Sequence, residues 1–382
     1  MSPGAAIEPF AIHVDDEVLG DLRARLGQTR FPDQLDGTGW KYGIPTELVR
    51  DLVGYWLDGY DWRAEEARMN ALPQFTTTID GQRIHFVHQR STHDRAVPII
   101  MTHGWPGSIV EFVDVIPKLA EPGGDRTAFH VVAPSLPGYG FSGPTGDRGW
   151  DPTRIARAFA ELMRAVGYDR YIAQGGDWGA QVSTRLAAID AEHCAGLHLN
   201  MPLAGRPKED VELDDDARAD LETFAEFQRD ESAYAQLQGT KPQTAGVALN
   251  DSPAGLLAWI VEKFQRWSDC GGDVERAFTR DQLITNVMVY WVTGTITSSM
   301  RLYWEARHAH EASEYVAVPT AVARYPEEPL RLPRAWVERA YNVVRWANMP
   351  RGGHFAAMEQ PDLFVDDLRA FAAELAKEEA AR

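Results

Sequence analysis

Gly175-Gly176-Asp177-Trp178-Gly179 lies between an apolar, strand-like run, Tyr171-Ile172-Ala173, and a helix-like stretch from Ala180 to Ile189. Glycines on both sides of a polar residue at a strand-to-helix junction are typical of a nucleophile elbow, a tight turn that holds the central side chain over the edge of a sheet. The usual central residue is serine, and here it is Asp177. A carboxylate attacks carbon to form an ester, which is then hydrolysed. The pattern therefore predicts displacement at an sp3 carbon in place of acyl transfer.

Apolar strands and helices alternate on both sides of this turn. The pattern predicts strands at 97–101, 131–133, 171–173, 316–318 and 342–346, and helices at 109–120 and 154–166. Strands that are apolar along their whole length favour a parallel sheet buried under helices. Together with the elbow, this predicts the α/β class and an α/β-hydrolase fold, with a mostly parallel central sheet and helices on both faces.

Four segments of the chain differ in their patterns. Residues 1–74 are predicted to form an N-terminal helical arm, with helices at 14–27 and from Pro45 onward. Residues 75–204 and 315–382 are predicted to form the two parts of the α/β-hydrolase core. Between them, residues 205–314 lack strand-like runs and are rich in aromatic residues. We predict that this insertion is a helical lid.

A β-hairpin is predicted at the start of the core. Residues 75–79 and 83–87 alternate with period two around Asp80-Gly81, a dipeptide typical of tight hairpin turns. The histidines around this hairpin, His85, His88 and His93, are interpreted as exposed strand residues, so none of them is a candidate for catalysis.

Composition limits the possible partners and compartments. With 38 Lys and Arg against 56 Asp and Glu, the 382 residues carry a formal net charge of −18, which disfavours nucleic acid and anionic membranes as partners. Cys194 and Cys270 lack metal-type spacing, which indicates a reducing compartment without a disulfide framework. Because no signal peptide or membrane-spanning stretch is visible, we expect a cytoplasmic protein.

An aspartate nucleophile needs donors for an oxyanion, a base and an acid that orients the base. His103-Gly104-Trp105-Pro106-Gly107 follows the strand at 97–101, so the backbone N–H groups of Trp105 and Trp178 are candidates for an oxyanion hole. In α/β hydrolases the order along the chain is nucleophile, acid, histidine. His354, in the glycine-rich loop Arg351-Gly352-Gly353-His354-Phe355, fits the place of the base.

The acid is expected after the strand at 316–318. Glu327 and Glu328 lie there, and the residue pattern does not separate them; Glu338 is a third option that fits a solvated helix better. A leaving alkoxide would also need a proton donor, a role that suits a tyrosine in a dry pocket. Tyr234, Tyr290 and Tyr303 are the tyrosines of the predicted lid.

Two other groups of residues are weaker candidates. Trp259 and Trp291 could line an apolar substrate pocket, although most tryptophans belong to a protein's core. His308 and His310 form an H-x-H pattern, but they lack nearby carboxylate support for a metal ion. The sequence therefore predicts neither a metal site nor a cofactor.

Several motifs together resemble one family. They are H-G-W-P-G-S at 103–108, P-S-L-P-G-Y-G-F-S at 134–142, G-G-D-W-G at 175–179, the lid segments at 240–244, 251–253 and 258–260, and R-G-G-H-F-A at 351–356. The chain resembles the α/β-hydrolase-fold epoxide hydrolases, in the branch that includes the microsomal and juvenile-hormone enzymes and their soluble bacterial and fungal relatives. The resemblance runs from about Ile7 to about Phe371. It is highly specific because five separate motifs agree.

The resemblance implies an activity and a role for each site residue. The expected reaction converts an epoxide to a vicinal diol through an ester on Asp177, with His354 as base and Glu328 as acid. The family pattern F-P-x-E/D selects Glu328, but Pro329 departs from the usual leucine, so Glu327 remains an alternative. Tyr234 and Tyr303 match the family's two lid tyrosines, which makes Tyr290 a core residue.

Other consequences of the resemblance are broader. The expected partners are a small epoxide and water, without a cofactor, and a homodimer is one of the oligomeric states left open. Membrane-bound relatives carry an N-terminal anchor, whereas this sequence begins without one. The biological setting fits either natural-product biosynthesis, for example of enediynes, or detoxification of xenobiotics. The alternative functions are a haloalkane dehalogenase, which shares the aspartate nucleophile, and a non-catalytic ligand-binding α/β-hydrolase.

Overall fold

The computed structural model describes residues 6–124, 126–207, 209, 211–309 and 315–381. In these residues a single sheet of nine strands forms the centre of the molecule, in the order β1-β2-β3-β5-β4-β6-β7-β8-β9. The strands are β1 Glu8–Phe10, β2 Gln74–Ile79, β3 Gln82–Gln89, β4 Val97–Thr102, β5 Phe129–Pro134, β6 Tyr171–Gly175, β7 Cys194–Leu199, β8 Val316–Arg324 and β9 Tyr341–Asn348. The predicted α/β-hydrolase fold is confirmed.

Strands β4 to β9 are parallel, and β1 to β3 extend the sheet in antiparallel fashion. β4 lies between β5 and β6 and pairs with β6 through Met101 opposite Gln174 and Thr102 opposite Gly175. Since adjacent parallel strands end at the same edge of a sheet, the loop after β4 and the turn after β6 lie side by side. A crevice at such an edge is the usual place for a ligand in open α/β sheets.

The predicted hairpin is confirmed, but the prediction that His85 and His88 are exposed is wrong; His93 lies after the strand and is half-buried. β2 and β3 pair from Gln74–Val87 to Ile79–Gln82, and Asp80 and Gly81 both have positive φ at the turn. His85 is fully buried and His88 nearly so. The physical reason is that residues from distant parts of the chain pack against both rings: His85 contacts Ser135 and Phe10, and His88 contacts Tyr168.

Helices cover the sheet and form the segment that was predicted to be a lid. They are α1 Asp16–Gly27, α2 Thr46–Asp58, α3 Trp62–Asn70, α4 Val115–Ala120, α5 Pro152–Ala165, α6 Asp177–Ile189, α7 Asp215–Glu226, α8 Ala233–Gln238, α9 Pro242–Leu249, α10 Pro253–Arg266, α11 Arg280–Thr293, α12 Ile296–His308, α13 Arg334–Val337, α14 Ala356–Glu359 and α15 Pro361–Ala381. Short 3-10 turns occur at Ile109–Phe112, Gly140–Ser142 and Val274–Arg276, and a π-helical turn at Phe227–Glu231. The single helix predicted at 109–120 is therefore a 3-10 turn followed by α4.

The N-terminal arm is more than helical. Besides α1 to α3 it contributes β1, which pairs with β2 through Pro9 opposite Phe75 and so forms an edge of the sheet. Within the described residues, no helix combines the length and the apolar character that a membrane crossing requires.

Candidate active site

The elbow after β6 has the strained geometry that its sequence predicts. Asp177 begins α6 with φ of 51°, a left-handed conformation that is uncommon for residues other than glycine. A Cβ at Gly175 would overlap the backbone of Gly179, and a Cβ at Gly179 would overlap the carbonyl of Thr102. The turn can therefore pack against the end of β4 only because both positions are glycine.

The loop after β4 directs a backbone donor at this carboxylate. The backbone N–H of Trp105 donates to Asp177 Oδ1 at 2.7 Å. Gly104 packs so closely against Asp177 that a Cβ there would overlap the carboxylate side chain. The second residue predicted for the oxyanion hole, Trp178, lies in the first turn of α6, where backbone N–H groups lack helical partners.

Lid helix α11 holds this loop from the other side. Its Asn286 Nδ2 donates to the carbonyl of Pro106 at 2.8 Å, and its Tyr290 hydroxyl donates to the carbonyl of Gly107 at 2.6 Å. Tyr290 is fully buried. Its contacts are those of a core residue, which agrees with the role that the family resemblance implies for it.

His354 lies between two carboxylates. Its Nε2 is 3.5 Å from Asp177 Oδ2, and its Nδ1 is 2.8 Å from Glu328 Oε2. Glu328 is 2% exposed, and its Oε1 accepts a hydrogen bond from the backbone N–H of Leu330 at 3.0 Å. The structure thus brings together the three residues predicted as nucleophile, base and acid.

The two rival glutamates lie elsewhere. Glu327 is exposed, with its backbone N–H bonded to the carbonyl of Gly352. Glu338 is also exposed and pairs with Arg334 at 2.6 Å. Of the three glutamates, only Glu328 contacts His354, so geometry separates residues that the sequence left open.

The charges around His354 decide its protonation. Burial alone would lower the pKa of His354, but the carboxylates of Glu328 and Asp177 outweigh burial and raise the pKa well above its usual value. With both carboxylates ionised, His354 is therefore protonated at neutral pH. A change in either neighbour's charge changes the basicity of the imidazole directly.

The two matched lid tyrosines meet above the elbow. Tyr234 on α8 and Tyr303 on α12 are both buried, with ring centroids 5.9 Å apart. Burial is the largest cause that raises the pKa of both phenols well above the usual value, and the negative charge of Asp177 adds to it in each case. Both are therefore neutral proton donors, and the Tyr303 hydroxyl has no hydrogen-bond partner among the described residues.

Three tryptophans surround these phenols. The Trp105 ring stacks on Tyr234 with centroids 5.2 Å apart, Trp178 meets Tyr303 edge to face at 4.8 Å, and Trp267 lies 5.1 Å from Tyr234. Trp267 also contacts the ring of His354 at 5.0 Å. This wall is dry and aromatic, which suits an apolar substrate.

The tryptophans predicted for the pocket have other neighbours. Trp259 Nε1 donates to Gln238 Oε1 at 3.2 Å, and the Trp291 ring lies under the guanidinium of Arg25 at 5.9 Å. The aromatic contacts of Tyr234 and Tyr303 come instead from Trp105, Trp178 and Trp267, as just described. The structure thus places other tryptophans beside the phenols, because the loops after β4 and β6 carry two of them.

No cluster that could hold a metal ion occurs in the described part of the chain. His308 Nδ1 lies 2.7 Å from the carbonyl of Trp304. Its H-x-H partner, His310, lies outside the described residues.

Comparisons with known proteins agree with this geometry. Residues 7–112 match the family model for the epoxide hydrolase N terminus, and residues 97–250 match the model for the alpha/beta hydrolase fold. A protein of Stigmatella aurantiaca named "Putative epoxide hydrolase" is 45% identical, over 95% of this chain and 84% of its own length. Epoxide hydrolase 1 of Sus scrofa is 38% identical, over 96% of this chain and 88% of its own.

The chain belongs to the epoxide hydrolase family. A solved structure extends the match to three dimensions: the juvenile hormone epoxide hydrolase of the silkworm Bombyx mori superimposes with a TM-score of 0.92, at 33% identity, over 98% of this chain and 96% of that one. In this chain the Trp105 N–H and the His354 imidazole lie within 3.5 Å of the Asp177 carboxylate, and Glu328 contacts His354.

One charged residue that the structure places near Asp177 was missed in the sequence analysis. A small cavity of about 20 Å³ lies beside Asp177 and is lined by Glu111, Gln174, Asn200 and His354, among others. Glu111 follows the H-G-W-P-G-S motif by three residues, inside an apolar stretch. A charged residue in an otherwise apolar run was the available signal for it.

Proposed function

We propose that this protein hydrolyses epoxides to vicinal diols through a covalent ester on Asp177. The observation that carries the proposal is the arrangement around one carboxylate: the imidazole of His354 at 3.5 Å on one side and two buried neutral phenols, Tyr234 and Tyr303, on the other. Phenols are suited to protonate an alkoxide, which is the leaving group of an opened epoxide.

In the first step, Asp177 attacks a ring carbon of the epoxide and forms a carbon–oxygen bond as the ring carbon–oxygen bond breaks. Tyr234 and Tyr303 hold the ring oxygen, and one of them gives it a proton. The resulting phenolate regains a proton from the His354 imidazolium, whose pKa falls because esterification removes the charge of Asp177. After this step Asp177 has lost its negative charge and His354 its positive charge, and the phenol is neutral again.

In the second step, neutral His354 takes a proton from water, and the water oxygen adds to the Asp177 carbonyl carbon. The oxyanion that forms is held by the backbone N–H groups of Trp105 and Trp178. Collapse breaks the bond between that carbon and the ester oxygen, and the diol leaves with the proton from His354. The new carboxylic acid of Asp177 then gives its remaining proton to His354, which restores the carboxylate and the imidazolium. Glu328 keeps the imidazole oriented and stabilises its charged form.

The proposal is tested by one turnover in 18O-labelled water with styrene oxide, followed by mass spectrometry of the peptide that contains Asp177. We expect 18O in that peptide and a diol in which both oxygens are unlabelled. One diol oxygen comes from the epoxide and the other from Asp177, and the water oxygen stays on the carboxylate. Asp177→Asn, whose amide is a poor nucleophile, should yield neither ester nor diol in the same experiment. Diol formation without label in this peptide would mean direct attack by water and would refute the ester route.

A cytoplasmic location is the second part of the proposal. Cys194 and Cys270 are both buried and unpaired, and free thiols are typical of reducing compartments. The pKa of the Cys194 thiol is raised by burial to about 12, which keeps it protonated and unreactive.

A further inference from the structure

The cavity beside Asp177 has the size and polarity of a water site. Its volume is about 20 Å³, and a buried water needs roughly 10–15 Å³ and two to four polar partners. Thr102 Oγ1 and Gln174 Oε1 line it, and both are buried without a hydrogen-bond partner among the described residues. Buried polar atoms of this kind are commonly satisfied by an ordered water.

The cavity lies away from the phenols. Asp177 and His354 both line it, whereas neither Tyr234 nor Tyr303 does. A water here would reach the carboxyl carbon of Asp177 without displacing the opened substrate, which remains beside the tyrosines. The hydrolytic water and the epoxide therefore have separate places around the same carboxylate.

Glu111 is the ionisable residue that completes this cavity. It lies on the 3-10 turn Ile109–Phe112, and its carboxylate fits against Gly107 so closely that a Cβ at that glycine would overlap it. Burial raises the pKa of Glu111 to about 8, which His354 opposes and Asp177 reinforces. The carboxyl group is thus electrostatically coupled to both residues of the hydrolytic step.

We propose that Glu111 is a further residue of the hydrolytic step, which accepts the second hydrogen of the attacking water while His354 accepts the first. This inference rests on the proposed ester mechanism. The water oxygen bonds to the Asp177 carbonyl carbon, one water proton moves to His354 Nε2, and the other stays on oxygen in a hydrogen bond to Glu111. Two acceptors fix the direction of the water's lone pair, which hydrolysis of an ester requires.

The test separates the two half-reactions by stopped-flow tryptophan fluorescence and by quenched-flow detection of the alkyl-enzyme. For Glu111→Leu we expect ester formation within about twofold of wild type and hydrolysis slowed at least about tenfold, a modest part of the usual effect of acid–base groups. Glu111→Gln keeps an acceptor oxygen and should recover most of the hydrolysis rate at pH 7. Equal slowing of both steps, or unchanged hydrolysis in Glu111→Leu, would overturn the proposal.

The pH profile provides a readout that a structural role would not change. In wild type the hydrolysis rate should rise a second time, above the rise due to His354, as Glu111 ionises and becomes a stronger acceptor. In the ester neither Asp177 nor the neutral His354 carries a charge, and His354 lowers the pKa of Glu111 more than Asp177 raises it, so this second rise should lie above pH 8. Glu111→Gln has no carboxyl group to ionise, so its hydrolysis rate should lack the second rise. This measurement tests the proposal even if Glu111→Leu fails to fold. A wild-type profile in Glu111→Gln would contradict the role.

A matched control is Glu66→Gln. Glu66 is also a buried glutamate, but it lies in the N-terminal arm, where it accepts from the backbone N–H of Val14 at 2.8 Å and from Trp62 Nε1 at 3.2 Å. It should lower thermal stability and leave both rate constants unchanged. If wild type itself forms no alkyl-enzyme, the proposed function fails; if the ester forms and Glu111 variants hydrolyse it normally, only the present inference fails.

Discussion

At the scale of single residues, the two phenols above Asp177 distinguish an epoxide from a haloalkane as substrate. A halide leaves without a proton, whereas an epoxide oxygen needs one. Tyr234 and Tyr303 are buried, neutral and next to the nucleophile, and the Tyr303 hydroxyl has no other partner among the described residues. The Tyr303 hydroxyl therefore has a donor available for the substrate's oxygen.

The first prediction concerns these hydroxyls. Tyr234→Phe and Tyr303→Phe should each slow ester formation from styrene oxide about tenfold, and the double variant at least about a hundredfold, because the alkoxide then leaves unprotonated. Stopped-flow fluorescence measures this step. Tyr325→Phe is the control, since its hydroxyl is also buried without a hydrogen-bond partner among the described residues, and the charges that, besides burial, raise its pKa belong to Asp367 and Glu359, not to Asp177. If the double variant opens the ring at the wild-type rate, or releases halide from a haloalkane, the phenols do not have this role.

Residue types and chain order predict these site residues only in part. The strained turn at Asp177 requires glycines, and glycines are visible in a sequence. Glu328 could not be separated from Glu327 because the choice depends on which one is buried: Glu328 is 2% exposed and Glu327 is exposed. Glu111 was missed because its role depends on a cavity formed by residues that are far apart in the chain.

At the scale of elements, β3 shows where a local pattern fails. Alternation along 83–87 predicted a strand correctly, but it cannot show what covers each face. The His85 ring nitrogens lie 2.9 Å from Ser135 Oγ and 2.9 Å from Gln74 Oε1, and the ring packs edge to face against Phe10 at 5.0 Å. β7 was missed altogether in the sequence analysis, although it lies between β6 and β8. Burial of a strand residue thus depends on which distant residues pack against it, and local alternation does not show them.

This burial leads to the second prediction, a loss of stability in acid. Burial lowers the pKa of His85 to about 3, against about 6.5 in an unfolded chain. As the pH falls below about 6.5, the His85 side chain binds a proton in the unfolded state but not in the folded state. The unfolding free energy therefore falls by about 1.4 kcal/mol per pH unit until about pH 3. His85→Gln should make the slope of unfolding free energy between pH 6 and 4 shallower by about this amount.

Urea unfolding at a series of pH values measures the slope. His13→Gln is the matched control because His13 is exposed. In this variant the slope of unfolding free energy against pH should equal that of wild type. An unchanged slope in His85→Gln would show that the folded protein accepts a proton at His85.

At the scale of the whole molecule, the N-terminal arm connects the sheet to the lid. β1 joins the arm to the edge of the sheet. The arm also contacts α11 near the end of α2: the Tyr55 hydroxyl donates to Asp281 Oδ1 at 2.8 Å, and the Tyr60 hydroxyl lies 2.9 Å from Thr285 Oγ1. Both partners belong to α11, the helix that also holds the carbonyls of the loop carrying Trp105. The arm therefore supports the oxyanion loop through α11.

The third prediction follows from this chain of contacts. The double variant Tyr55→Phe with Tyr60→Phe removes both hydroxyl contacts and leaves the fully buried Thr285 without that partner, so the unfolding free energy should fall by about 1–3 kcal/mol. Amide hydrogen exchange should rise more in α11 than in the central strands β4 and β6, since the lost contacts stabilise the lid and not the sheet. Tyr42→Phe, which alters an exposed tyrosine of the same arm, should change neither measurement. Equal acceleration of exchange in α11 and β4 would mean that arm, lid and sheet unfold as one unit, and the arm would then have no separate role in holding the lid.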